Sequence, residues 1–476
     1  PNIRSKNGLA PLHFAVFNDT ADTIIVLLDS GADLGARDKD GWTALHWAGF
    51  YGYVEPVEAL IAAGADLNFK GKDGWTPINT ASYYGSVDAI TTLIAAGANP
   101  DIPDHQLLTP LHKAVIRDYP EVVNALMAAG AKLESPTKGG FTALHMAANK
   151  GHLDIVNILL PGGANPNTRN RKGFPLLHQV AEQGHADVIN ALLAAGGDPE
   201  LHDRKNKTLL HRAAADGNTE KITSLLESGA DPDRLNPDLD TPLHLASLNG
   251  HLQAVNTLLA AGANPTLRDI DGNTPLHWAV LDENREVIDA LLAAGANPDI
   301  TNKQGSSPLS AAMGIDFQEG ISILLAAGAN PNARTRENNT LLYIAVSDGN
   351  LETINALLAA GADLEMTSMS GRTPLYIAVQ KGHLEVINTL LAAGADPDAS
   401  NWDGRPILHL AVRHDYAEGI DALLAAGGNP SVRNRENNTP LHIAAADGSL
   451  EIINTLLAAG AELEARTIVL DTPLHW

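Results

Sequence analysis

The sequence predicts an all-α solenoid of stacked helix-turn-helix pairs, and three observations predict it. The first is a strict period: copies begin at Ala10, Thr43, Thr76, Thr109, Thr142, Pro175, Thr208, Thr241, Thr274, Ser307, Thr340, Thr373, Pro406 and Thr439, each 33 residues after the last, with a further start at Thr472. The second is that a copy carries two short apolar runs at helical spacing, parted by a turn residue. The third is a segment mixing Pro, Asp and Gly before the next copy starts. Helices this short are marginal alone in water, so their order has to come from stacking on neighbours.

The unit from Thr241 to Asn273 shows why each element forms. Thr241 is an N-cap whose side chain can accept from the first free amides, and Pro242 sits at N1, where its missing N–H costs nothing. Gly250 supplies a left-handed residue that closes the first helix. Ala254, Val255, Leu258 and Leu259 form one face of a second helix, which Gly262 ends. The stretch from Asn264 to Asn273 then reads as a turn or short hairpin. With the first residue of each copy as position 1, positions 3, 6 and 7 share one face and are Leu, Ala and Ala or Val in most copies, hence core. Positions 5, 8 and 9 group on the opposite face.

The TPLH motif, the Gly six residues after its His, and LLAAGA followed by Asp or Asn near the end of the unit resemble the ankyrin repeat, along the whole chain. The resemblance implies projecting β-hairpin loops and a curved superhelical array. It implies binding of protein partners on a concave surface lined by positions 8 and 9 and by the hairpin tips. It also implies that the motif histidines hydrogen-bond the backbone of the hairpin and adjoining loops.

The frame yields fourteen full copies in residues 1–476, read as a single continuous domain, with part-copies at 1–9 and 472–476. PNIRSKNGL aligns with the hairpin from Pro331 to Asn339, and Thr472 opens a copy that does not finish, so the chain is expected to be a fragment of a longer array. Neither end shows the polar outer face of a capping copy, which leaves end-to-end or intramolecular contacts open. There are no cysteines, so disulfides and cysteine-based zinc sites are excluded. No apolar run approaches the roughly 20 residues that cross a bilayer, and the residues from Pro1 do not read as a signal-peptide pattern. With 32 basic and 56 acidic residues, the formal charge is −24, which disfavours nucleic acid and anionic lipid and favours basic partners. The expected compartment is the cytoplasm, including that of a host cell entered by a secreted effector.

Two stretches are candidate binding surfaces. Of the 21 aromatic residues, eleven precede residue 85. Positions 8 and 9 of copies one to three hold Phe17, Phe50, Tyr51, Tyr83 and Tyr84, turned away from the core by the helical wheel, while Trp42 and Trp75 close the hairpins. Phe14 and Trp47, at position 5, are read as packing against adjoining helices. The second stretch is the pair of basic hairpins carrying Arg169, Arg171, Lys172, Arg204, Lys205 and Lys207, in a segment with nine basic and six acidic residues. They are either solvated tips or a dock for an acidic partner segment. Farther along, position 9 holds Asp216, Asp282, Asp348 and Asp447, so the inner surface turns acidic.

Catalytic, cofactor and metal sites are not expected. Eleven of the eighteen histidines are the fourth residue of the motif, a regular ladder rather than a convergent ligand set. Gly71 and Lys72 are followed by Asp73 where a phosphate loop needs Ser or Thr, and Asp269, Asp271 and Gly272 lack the rest of a calcium loop. Copy ten departs furthest, with Ser310 in place of His and Gly314 in its first helix, and is expected to be the weakest unit. The function expected is a protein-binding scaffold. Its rival is a targeting array for an enzyme, toxin or effector whose catalytic domain lies elsewhere in a longer chain.

Overall fold

The computed structural model describes residues 2–476; Pro1, the first residue of the opening part-copy, lies outside them. Among the described residues are twenty-eight α-helices, two for each full copy, and a short 3-10 turn at Pro473–His475. First helices run seven or eight residues, as in Ala44–Tyr51 and Pro242–Leu248, and second helices mostly nine, as in Leu252–Ala260. The chain resolves into two compact units, one comprising residues to Ala213 with Glu220–Asp231, the other Ala214–Thr219 with Pro232–Trp476. Their divide in sequence falls inside copy seven.

The expected start and stop signals operate. Thr241 is extended at φ −89° and accepts from the His244 amide at 3.3 Å, with Pro242 opening the helix. Position 10, which turns the chain into the second helix, is left-handed whether it is Gly52 at φ 76° or Asp118 at φ 60°. The core follows positions 3, 6 and 7: Leu243, Ala246 and Ser247 are fully buried, together with Val255 and Leu258 of the second helix. In copy two, position 7 is Gly49, where a Cβ would lie 2.9 Å from the Pro77 carbonyl oxygen. That glycine lets Ala44–Tyr51 approach Pro77–Tyr84 closely, in the part of the array where the aromatic residues gather.

The hairpins are tight turns rather than long ladders. Each is closed by two backbone bonds, such as Asp38 N to Trp42 O at 2.9 Å and Gly41 N to Asp38 O at 3.1 Å, and among the described residues the β pairing amounts to isolated bridges such as Arg169 with Pro175. Neighbouring hairpins are joined by a second rung. In copies two and three the Asn68 Oδ1 accepts from the Asn99 amide at 2.9 Å, and the Asp101 Oδ1 from the Lys132 amide at 2.8 Å. In the second unit, Asp299 does the same for Asn330 at 2.8 Å and Asp398 for Asn429 at 2.8 Å. The recurrent Asp/Asn–x–Asp/Asn/Glu pattern after LLAAGA is therefore a cross-copy ladder. Gly35 in copy one has no side chain with which to make it.

Copy ten differs from its expected form in one respect. Gly314 is the last residue of its helix, Pro308–Gly314, rather than an interior one, and Asp316 takes the left-handed turn at φ 59°. Phe317 then folds back, buried, over Gly320, where any Cβ would overlap its ring.

Candidate interaction surface

Most motif histidines are bolts between a helix start and its own hairpin; His178 and His409 follow Pro175 and Pro406, which have no N–H, and bond only the hairpin carbonyl. His46 Nδ1 accepts from the Thr43 amide at 3.2 Å, and its Nε2 meets the Trp75 carbonyl at 3.1 Å. The same pair of bonds recurs at His112 and His244. A backbone N–H on Nδ1 and a carbonyl on Nε2 can both be satisfied only by the neutral ring protonated at Nε2. Burial favours that state: it lowers His46, His112, His178 and His409 to about 4, against the partly opposing carbonyl bonds. Burial lowers His145 to about 4 as well, although its ring meets Thr168 Oγ1 at 3.3 Å instead. Asn79, in the motif position of copy three, bonds Thr76 Oγ1 at 2.9 Å and the Ile102 carbonyl at 3.0 Å.

On the opposite face the rings nominated from the sequence form one continuous cluster. Phe17 meets Trp47 at 5.0 Å between centroids and Tyr51 at 5.8 Å. Trp42 stacks on Trp75 at 6.1 Å, so the residues ending two successive hairpins lie ring to ring. Phe50 meets Tyr84 at 4.2 Å, and Tyr83 meets both Trp75 and Tyr84 at 5.1 Å. Most of this area is therefore shared between rings: Phe17, Trp42, Phe50, Trp75 and Tyr83 are half-buried, while Tyr51 and Tyr84 are 42% and 40% exposed. Phe14 is not packed away as expected but is 46% exposed, meeting Phe17 edge-on. Trp47 is half-buried, its indole N–H donating to Asp38 Oδ2 at 3.0 Å.

Between copies two and three the cluster opens into a cleft of about 300 Å³ walled by Trp42, Trp47, Phe50 and Tyr84. Its rim carries Asp40, Asp73 and Lys72, and the Lys72 Nζ is held on the Lys39 carbonyl at 2.7 Å. Sequence reasoning nominated none of these three rim residues for binding, although the resemblance does imply hairpin tips beside positions 8 and 9. It also missed Lys113, whose Nζ lies 2.6 Å from Asp104 Oδ2 in a buried pair only 5% and 4% exposed. Burial pushes the Asp104 carboxyl up, but the Lys113 bond and the amides of Leu108 and Gln106 outweigh it and hold it below the usual carboxylate range.

The basic hairpins turn out to be partly engaged with each other. Arg169 Nη1 donates to the carbonyls of Gly173 and His202 at 2.9 and 3.2 Å, Arg171 to that of Lys138 at 3.3 Å, and Arg204 to that of Lys172 at 2.6 Å. Each arginine thus clasps a neighbouring hairpin about one repeat away. Lys172 and Lys205 are exposed and Lys207 is half-buried, with no such clasp. A cavity of about 520 Å³ beside them has Lys172, Arg204, Phe174 and Glu182 in its lining.

A family profile described as three tandem ankyrin repeats matches residues 1–70, 52–137, 80–170, 177–269, 262–335, 311–401 and 393–467. The chain belongs to the ankyrin-repeat family. No curated protein matches it. Ankyrin repeats are generally protein–protein interaction modules and typically non-catalytic. Among the described residues, no three His, Asp or Glu side chains converge as a metal-holding group, and no helix is long and apolar enough to cross a membrane. In these ankyrin repeats the motif histidines are buried and bonded mainly to the backbone. The aromatic cleft and the hairpin lysines are instead presented outward.

Proposed function

We propose that this chain is a protein-binding scaffold whose principal contact surface is the aromatic face of copies one to three. The observation that carries the reading is the continuity of the cluster from Phe14 to Tyr84, with Tyr51 and Tyr84 exposed at its surface and a cleft between them and the hairpins. A contiguous aromatic patch of this kind is the usual centre of an interface, where buried Tyr and Trp supply most of the binding energy. The reading of residues 1–476 as a single working domain rests on the 33-residue frame, which passes through copy seven without insertion.

Random displayed peptides selected on the whole chain test it. Tyr51→Ala with Tyr84→Ala should leave melting nearly unchanged while retained affinity falls by at least about 1 kcal/mol per anchor. A collapse in melting makes the tyrosines structural, and unchanged affinity moves the binding face elsewhere.

The hairpins of copies five and six support a second dock, for an acidic segment. The structure alters the test: Arg169, Arg171 and Arg204 clasp neighbouring hairpins, so reversing them would unhook the tips as well. Reversing Lys172, Lys205 and Lys207 to Glu should weaken binding of a glutamate-rich peptide at low salt, with a loss that shrinks as screening approaches its roughly 8 Å physiological length. Unchanged affinity at low salt would return these hairpins to solvated tips.

A further inference from the structure

Building on the proposed reading of the aromatic face as a binding surface, we propose that its cleft receives the ammonium group of a lysine on a basic partner segment. The chain itself shows the arrangement one repeat farther on. Trp75 closes copy two and Tyr83 is position 8 of copy three. Against these two rings the chain places its own Lys113, whose Nζ is 4.0 Å from the Trp75 centroid and 6.0 Å from that of Tyr83. Asp104 Oδ2 completes the site at 2.6 Å. Ring faces and one carboxylate there hold an ammonium almost wholly out of water, because the negative ring faces and the carboxylate replace its hydration.

In the preceding repeat the positions of Trp75 and Tyr83 are taken by Trp42 and Phe50, but those of Lys113 and Asp104 are taken by Thr80 and Gly71. The Thr80 hydroxyl is turned onto its own helix, donating to the Thr76 carbonyl at 3.2 Å. A Cβ at Gly71 would lie 2.8 Å from Trp42 Cδ1, so the indole leans into the space that an acid occupies in the next repeat. Among the described residues no Lys or Arg lies over Trp42 or Phe50, and the aromatic walls stand open as the 300 Å³ cleft. The carboxylates are supplied from the rim instead, by Asp40 and Asp73. The one rim cation, Lys72, is committed to the Lys39 carbonyl. A formal charge of −24 on the chain favours a basic partner segment over an acidic one.

The test uses the whole chain, immobilised, and three pools of heptapeptides, randomised except for a central lysine, Nε-acetyl-lysine or norleucine. The lysine pool should be retained about tenfold more than either neutral pool, the range expected of a partly desolvated cation on aromatic rings. That preference should vanish in Asp40→Asn with Asp73→Asn and in Phe50→Leu, with melting of each variant confirming the fold. Equal retention of lysine and norleucine pools, both lost in Tyr84→Ala, would overturn the lysine site while leaving the aromatic face as a binding surface. Retention indifferent to Tyr84→Ala, or none for any pool, would overturn both.

Discussion

The indole N–H of Trp47 donates to Asp38 Oδ2 at 3.0 Å, and the same nine-residue step joins Trp278 to Asp269 at 2.9 Å. In each case the other carboxylate oxygen closes the hairpin: Asp38 Oδ1 accepts from the amides of Asp40 and Trp42, both at 2.9 Å. One side chain therefore fixes the tip of a hairpin and the first helix of the following copy. Asp38→Ala should cost about 2 to 3 kcal/mol locally, because it strips an indole and two amides of their acceptor. Amide exchange of residues 39–47 should rise by the corresponding factor, while copies ten to fourteen stay as they were. Exchange unchanged at Trp42 would mean that water replaces the carboxylate.

Two glycines of copy ten should respond in opposite directions to the same change. At Gly314, which ends a helix with ordinary backbone angles, a Cβ meets nothing within 4 Å, so Gly314→Ala should stabilise by up to about 1 kcal/mol. At Gly320 a Cβ overlaps the ring of Phe317, and Gly320→Ala should destabilise by about 1 to 3 kcal/mol. Copy thirteen repeats the pairing, with Tyr416 lying over Gly419. Phe317→Leu should relieve the penalty at Gly320 and leave the gain at Gly314. Equal effects at the two glycines, read by denaturant midpoint, would refute this account.

Much of this was legible in the sequence because the repeat states it fourteen times. The period, the Thr–Pro start and the apolar positions mark out helices and core, and the resemblance to ankyrin repeats implies the structural use of the histidines. Contacts that depend on where a hairpin lies were not legible. Arg169 and Arg204 look like free surface charges until the neighbouring hairpin is seen to bring a carbonyl within reach. The helical wheel turned Phe50 and Tyr83 away from the core but could not say that they would bury against each other's neighbours, because Trp42 and Trp75 arrive from hairpins outside the wheel. Lys113 at position 5 reads as a surface lysine; only the path of the hairpin puts Asp104 and Trp75 around it.

The hairpin ladder has a gap that can be filled. Gly35 sits where Asn68 and Asp101 accept from the next copy, it has no positive φ, and a Cβ there meets only the Asp33 side chain, at 3.5 Å. Gly35→Asn should add the missing bond to the Asp66 amide and reduce the freedom of the unfolded chain, stabilising copies one and two by about 1 kcal/mol. Gly35→Ala supplies the backbone effect without the acceptor, so Asn must exceed Ala in melting temperature for the ladder to be the cause.

Acid should loosen the array copy by copy, following the histidine bolts. Burial lowers His46, His112, His145, His178 and His409 to about 4, against an unfolded value near 6.5. The unfolded chain therefore takes up these protons first: the stability is whole above pH 6.5 and is lost as pH falls from there towards 4. Each bolt carries roughly 3 kcal/mol over that window, since every tenfold difference in proton affinity between the folded and unfolded chain is worth about 1.4 kcal/mol. The same acidification also reduces the net charge of −24 and its self-repulsion, which acts the other way over the whole chain. A site-resolved comparison separates the two. Copies ten, eleven and twelve carry Ser310, Tyr343 and Tyr376 in the motif position, so they have no histidine bolt to lose. Amide exchange corrected for intrinsic rates, measured at pH 7 and pH 5, should therefore show copies two, four, five, six and thirteen opening more at the lower pH, while copies ten to twelve hold. A change that is uniform along the chain, with no excess opening in the five histidine copies, would show that the bolts do not set the response to acid.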